Sequence, residues 1–273
     1  GIYWRFKNKR FKMKIYDCFM YNNEKIILDL RLNYLDRYVE KFILVESKYD
    51  HQGNLKKNCF NIDNFSNYKK KIVHLLIDQF PNNISNWERE KYQRNYILKA
   101  LKDLSEDDFV MISDVDEIPN LENHKEIFKY KYTVFKQKNL SYKFNLINKT
   151  FPDWYGTRIC KKKYLKSPQW LRQQKIKEFS FLKFFRIKWN IIDKGGWHFS
   201  FLMKPDEIQN KIKSYAHAEF NIDEFTNLEN IQKKIENNED IFKRDQYYEK
   251  IEIDDNYPDY IRNNLKKLKD WIL

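Results

Sequence analysis

Between Lys14 and Ser113 short apolar runs alternate with segments of helical periodicity, and this alternation constrains the fold more than any other feature of the chain. The runs Lys14 to Phe19, Phe42 to Val45, Ile72 to Ile77 and Phe109 to Ser113 have the length and the Val, Ile, Leu and Phe content of buried strands. Between the first two, Ile26, Ile27, Leu30, Tyr34 and Leu35 recur at helical spacing behind Asn22-Asn23, a pair able to cap a helix. Phe60 to Tyr68 reads as a short helix. Tyr92, Tyr96, Ile97, Ala100, Leu101 and Leu104 mark a longer one over Trp87 to Leu104. Strand, helix and strand in turn predict a parallel sheet covered by helices.

The second half changes character. Tyr132 to Ile147 alternates loosely and predicts longer, antiparallel strands. Trp154 to Cys160 and Phe179 to Ile187 read as further strands, and Ile191 to Ser200 as a turn leading into a strand. From Pro205 the chain reads as helical, with Pro205 suited to a first turn and Asp206-Glu207 to the helix dipole. The expected class is α/β, a Rossmann-type mixed sheet flanked by helices with a helical C-terminal region.

Charge narrows the partners. A net charge of +13 attracts polyanions such as nucleic acid, membrane surfaces and nucleotide phosphates. No zinc-finger spacing, RNA-recognition signature or basic zipper accompanies it, and Lys69-Lys70-Lys71 and Lys161-Lys162-Lys163 read as solvated faces. Cys18, Cys59 and Cys160 lie far apart, with neither a metal spacing nor a disulfide framework, which fits a reducing compartment. No run of about 20 apolar residues offers a membrane-spanning helix. Residues 1–13 read as a leader or cloning remnant without the apolar core of a signal peptide.

The Phe109 run ends in Ser113-Asp114-Val115-Asp116-Glu117-Ile118-Pro119. Acids just past the carboxyl end of a buried strand stand where open α/β sheets place ligands. In extended backbone, residues i and i+2 point the same way, so Asp114 and Asp116 can aim two carboxylates at one point. Mg2+ prefers oxygen ligands, and Mn2+ accepts carboxylate and imidazole together. An acidic turn that caps the next helix is the other reading. His198, between Trp197 and Phe199, is either a third metal ligand from far along the chain or a core histidine of an aromatic strand. Glycine is scarce, only five in the chain, so the pair Gly195-Gly196 stands out as a place where backbone could approach a phosphate closely. Glu46 ends the second run, where nucleotide-binding folds hold a ribose hydroxyl. Arg94 on the long helix offers phosphate a planar fork. For a general base, Asp193, Glu178, Glu117 and Asp153 stay open. P-loop, G-x-S-x-G, H-E-x-x-H and paired-Cys patterns are lacking.

Several blocks together resemble glycosyltransferase family 17. They are Lys14 to Glu24, Leu28-Asp29-Leu30-Arg31-Leu32, Val45-Glu46-Ser47, Arg89-Glu90 with Gln93-Arg94-Asn95, Ser113 to Pro119, and Gly196 to Leu202. They occur in order over residues 14–203, and the resemblance fades after Pro205. It implies a GT-A-like fold and a UDP-sugar donor, UDP-GlcNAc in the characterised branch, with inversion at the anomeric carbon. It also implies that Asp114 and Asp116 bind Mn2+ (or Mg2+) and the donor diphosphate, that His198 completes the metal site, and that Glu46 and Arg94 contact the donor. The catalytic core is then residues 14–203, with a helical extension over 204–273 packed on it. The acceptor is a glycan or glycoprotein, with Trp154, Tyr155 and Trp170 as candidates to stack on sugars, and no specific nucleic acid is expected. The expected location is cytoplasmic, with or without peripheral contact to a membrane. A metal-dependent nuclease or phosphotransferase, and a non-catalytic nucleic-acid or glycan-binding module, are the alternatives.

Overall fold

The computed structural model describes residues 4–6, 9–11, 13–56, 60–122, 125–176 and 187–273. Strands β1 (Trp4–Phe6) and β2 (Lys9–Phe11) pair antiparallel in a small sheet of their own. The four apolar runs become β3 (Ile15–Met20), β4 (Lys41–Ser47), β5 (Ile72–Ile77) and β6 (Phe109–Asp114). All four are parallel, in the spatial order β5-β4-β3-β6. Their near-continuous apolar character follows from burial on both faces. Ile15 and Phe19 pack with helix α1 (Lys25–Leu35), while Tyr16 and Cys18 face the opposite cluster with Ile97, Leu101 and Leu171. The chain steps outward from β3 to β5 and then returns to β6 on the other side of β3. That reversal is a topological switch point, and such sheets open a crevice there at the carboxyl ends of the strands.

The sheet continues with mixed polarity. Following β6 come β7 (Glu117–Pro119), β8 (Tyr132–Ser141), β9 (Leu146–Asn148) and β10 (Asp153–Lys161). Strand β10 lies antiparallel between β6 and β8. Next are β11 (Asn190–Ile192) and β12 (Gly196–Ser200), both parallel to β8, with β12 also antiparallel to β7. With β13 (Tyr248–Lys250) on β9, the result is a mixed sheet of 11 strands flanked by helices. The Phe179–Ile187 segment read as a strand falls almost wholly outside the described residues.

Helix α2 (Asn86–Tyr96) starts in a capping box, with Ser85 Oγ accepting the Glu88 N–H and Glu88 accepting the Ser85 N–H. It is shorter than the periodicity predicts: at Ile97 the chain tightens into a 3-10 turn, Ile97–Ala100. Tyr96 and Ile97 are weaker helix formers, and Asn95 spends its side-chain oxygen on the Gln169 N–H. The cap of α1 is Glu24 rather than the Asn pair, because Asn23 takes a left-handed φ of 71° and Asn22 donates its N–H to Glu24 Oε2 at 2.7 Å. After α3 (Pro168–Gln173), the C-terminal stretch holds α4 (Pro205–Ser214), α5 (Asp223–Thr226), α6 (Leu228–Glu236) and α7 (Asp259–Asn263), with β13 between the last two. It is tied to the rest by Tyr257, which donates its hydroxyl to the Phe144 carbonyl, and by Tyr260, which donates to Asp29. Among the described residues no helix is long and apolar enough to cross a membrane.

The glycine pair serves the sheet. Gly195 donates its N–H to the Lys136 carbonyl and accepts from the Asn120 N–H. A side chain on Gly196, at φ 122°, would place Cβ 2.1 Å from the Ile118 carbonyl oxygen. Neither glycine lines the cleft described below, so the close approach they permit is strand to strand rather than backbone to phosphate. Gly196→Ala is therefore expected to destabilise the protein by about 3 kcal/mol or more, read from urea unfolding midpoints.

Candidate active site

The crevice at the switch point is floored by the acidic turn between β6 and β7. Asp17, in the middle of β3, and Arg31, on the apolar stripe of α1 with Ile27 and Leu35, are both fully buried. Arg31 donates from Nε and Nη2 to the two Asp17 oxygens at 2.7 and 2.6 Å. Its remaining nitrogen, Nη1, lies 3.3, 3.1 and 2.6 Å from the carbonyl oxygens of Asp114, Val115 and Glu117. Buried carbonyls need donors, so one guanidinium, anchored from behind by Asp17, fixes the backbone of the acidic turn.

The turn also separates its acids. Val115 and Asp116 form a tight turn, so the extended-strand rule that would aim Asp114 and Asp116 at one point does not apply. Asp114 faces Arg94 (3.2 Å) and Arg172 of α3 (2.9 Å), one to each carboxylate oxygen. Burial would raise the pKa of Asp114, but Arg172 and Arg94 outweigh it and hold the carboxyl well below the usual carboxylate range. Glu117 is fully buried behind the turn. Its oxygens accept from Arg172, from the Trp154 indole N–H at 2.8 Å and from the Asp114 N–H at 2.9 Å.

Asp116 meets His198 instead. Register places His198 of β12 beside Asn139 of β8 on one side and Glu117 of β7 on the other. Asn139 Nδ2 donates to the Phe151 carbonyl at 2.8 Å, which fixes its Oδ1 as the acceptor for His198 Nδ1 at 3.1 Å. The His198 proton therefore sits on Nδ1, and the Nε2 lone pair faces Asp116 Oδ1 at 3.8 Å. Trp154 stacks on the imidazole, with centroids 4.4 Å apart and planes at 17°, and holds its plane. On the far side of Asp116 stands Lys211 of α4, 3.7 Å from Oδ2 and 3.5 Å from Glu24 Oε1. Burial raises the Asp116 pKa, opposed most by the Lys211 ammonium. Among the described residues no group of three or more His, Cys, Asp or Glu side chains converges as a metal cluster. Asp116 and His198 share a focus, while both oxygens of Asp114 are taken up by guanidinium groups.

These residues line a cleft of about 360 Å³ with Tyr21, Glu24, His51, Glu90 and Arg94. Arg94 is buried, and its Nε–H finds no acceptor among the described residues. Gln93 donates to the Val45 carbonyl at 3.1 Å, which leaves its oxygen to accept from His51 Nε2 at 2.8 Å and places the His51 lone pair on Nδ1. Other residues singled out from the sequence lie elsewhere. Glu46 is fully buried beside His74 (3.3 Å) and Lys56 (3.8 Å) and does not line the cleft. Asp193 sits 75% exposed in the turn after β11, 3.0 Å from Lys136, with Asp153 3.6 Å from the same ammonium. Glu178 lies outside the described residues. Trp170 packs with Tyr132 in the second core cluster.

Comparison with known proteins decides the lineage. A family model described as glycosyltransferase family 17 matches residues 3–249, nine-tenths of the chain. The chain belongs to that family. The beta-1,4-mannosyl-glycoprotein 4-beta-N-acetylglucosaminyltransferases of Homo sapiens, Rattus norvegicus and Mus musculus are each 22% identical to it over 231 residues. The alignments cover 73% of this chain and 42% of each mammalian protein, so the chain spans less than half the length of the curated relatives it matches. The family 17 match continues past Pro205, where the motif blocks fade, and takes in α4 with Lys211. The sequence motifs assign no role to Lys211, Asn139 and Arg172, and Arg31 enters them only inside the Leu28 to Leu32 block. Two of them carried a signal: Lys211 sits between Ile208 and Ile212 on the buried stripe of its helix, and Arg31 lies four residues after Ile27 on another.

Proposed function

We propose that this family 17 chain is a metal-dependent, inverting N-acetylglucosaminyltransferase with a GT-A-like fold, moving GlcNAc from UDP-GlcNAc to a hydroxyl of a glycan. Family membership and the names of the mammalian relatives support the reaction class. The observation that carries the site is the convergence of the His198 Nε2 lone pair and the Asp116 carboxylate, with the other imidazole nitrogen committed to Asn139. A carboxylate and an imidazole together suit Mn2+, with Mg2+ less favoured by the nitrogen. Asp116 and His198 would hold the ion. Bound there, it would supply positive charge to the departing diphosphate.

The protein's own groups do the rest. Arg94 lines the cleft beside Asp114 and brings positive charge to its wall, as a contact for an anionic donor. Asp114, held ionised with one arginine on each of its oxygens, fixes the Arg94 guanidinium at the cleft wall. The acceptor oxygen attacks the anomeric carbon opposite the leaving UDP and passes its proton to a carboxylate of the cleft wall. The new C–O bond forms as the bond to the diphosphate breaks, which inverts the centre. Asp193 and Glu117 do not line the cleft, which favours a carboxylate of the cleft wall as the base.

Asn139 gives a test away from the reacting atoms. Asn139→Ala frees His198 to change tautomer and is expected to weaken Mn2+ binding about 10- to 100-fold, read by titration calorimetry. Unchanged Mn2+ affinity in a folded variant would remove the site assignment.

A further inference from the structure

We propose that Lys211 is the second cation at the leaving diphosphate, delivered by α4 from outside the acidic turn; this rests on the donor reading above. Lys211 stands on the buried face of its helix beside Ile208 and Ile212, where an unpaired lysine is not tolerated. Its ammonium reaches into the cleft between Glu24, at the start of α1, and Asp116, from the β6–β7 turn. The two carboxylates give the ammonium a counter-charge on either side of the cleft.

The separations decide what the ammonium is for. At 3.5 and 3.7 Å from the two carboxylates it lies beyond the 2.7–3.2 Å of a good hydrogen bond, and an ammonium has three donors. The pairs neutralise Lys211 without saturating it, so donor capacity remains for an incoming anion. Asp116 is shared: Oδ1 faces His198 and Oδ2 faces Lys211, which places Lys211 one carboxylate away from the proposed metal. Lys211 would then meet the phosphate oxygens from the α4 side of Asp116. When the anomeric C–O bond breaks, the electron pair stays on the diphosphate oxygen, and Lys211 answers that growing charge by donating to it. Glu24 is its positioning partner, fixed in turn by the Asn22 N–H at 2.7 Å.

Removing Lys211 alone strands two buried carboxylates, so the decisive variant is Lys211→Met in a Glu24→Gln background, compared with Glu24→Gln alone. Both are titrated with UDP and with uridine in saturating Mn2+, and turnover of UDP-GlcNAc is followed. Loss of Lys211 is expected to weaken UDP about tenfold or more while leaving uridine unchanged, and to lower kcat more than it raises KM. Lys211→Arg should restore part of the UDP affinity. UDP binding and kcat within about twofold of the Glu24→Gln parent would overturn the assignment, and so would an equal loss for UDP and uridine, which marks a structural role. A wild-type protein that binds no UDP overturns the donor reading first and this assignment with it.

Discussion

Asp116→Ala is expected to lower kcat/KM for GlcNAc transfer by about a thousandfold while leaving a folded protein. The carboxylate is the only group in the turn shared by both proposed cations, His198-side metal and Lys211. Its removal takes away one metal ligand and one partner of a buried ammonium. Glu24 still pairs with Lys211, so the fold keeps a counter-charge there. Asp114→Ala differs, because it leaves Arg94 and Arg172 facing each other with only Glu90 and Glu117 to answer them. That variant is expected to lose stability as well as activity. Comparing Mn2+ affinity, melting temperature and kcat across the two separates a ligand from a positioning acid. Equal Mn2+ affinity in wild type and Asp116→Ala would sink the assignment.

Arg31→Met is expected to be the most destabilising single change, by about 3–5 kcal/mol, seen as a shifted unfolding midpoint. Methionine fills much of the same space, so the loss is electrostatic rather than steric. Asp17 is left as a buried carboxylate without its bidentate partner, and three turn carbonyls lose a donor. Pairing Arg31→Met with Asp17→Leu should recover the part due to the stranded charge but not the part due to the carbonyls. A cycle of the two single variants and the double measures the coupling. If Arg31→Met unfolds at the wild-type midpoint, the clamp is not what orders the turn.

The parallel half of the sheet was legible because burial on both faces writes a continuous apolar run, which ends where the ligand crevice begins. Strands β3 to β6 fall within a residue or two of those runs. The second half was harder. Strand β8 has neighbours of both polarities, and its pairing to β12 depends on contacts more than fifty residues apart. The acidic motif was visible as a place, but not as a geometry. Two residues of turn send Asp114 and Asp116 to different partners and tuck Glu117 behind them, and spacing along the chain does not report a turn of that kind. His198 was found through its aromatic strand, yet its orientation rests on Asn139, a residue with no motif around it. The glycine pair was noticed for its rarity, but its cause is steric: a Cβ at Gly196 meets a neighbouring strand. Charged residues on apolar stripes, Arg31 and Lys211, were the readable signals left unused.

The central claim is a nucleotide-diphosphate cleft built on Asp116 and His198. Calorimetric titration of UDP into the wild-type protein, once in Mn2+ and once in EDTA, tests it most directly. The account predicts one UDP per chain in Mn2+, with binding weakened at least tenfold in EDTA or in His198→Ala. Equal affinity with and without metal would contradict the metal site. No UDP binding under either condition, together with tight and strongly salt-dependent binding to nucleic acid, would contradict the account as a whole.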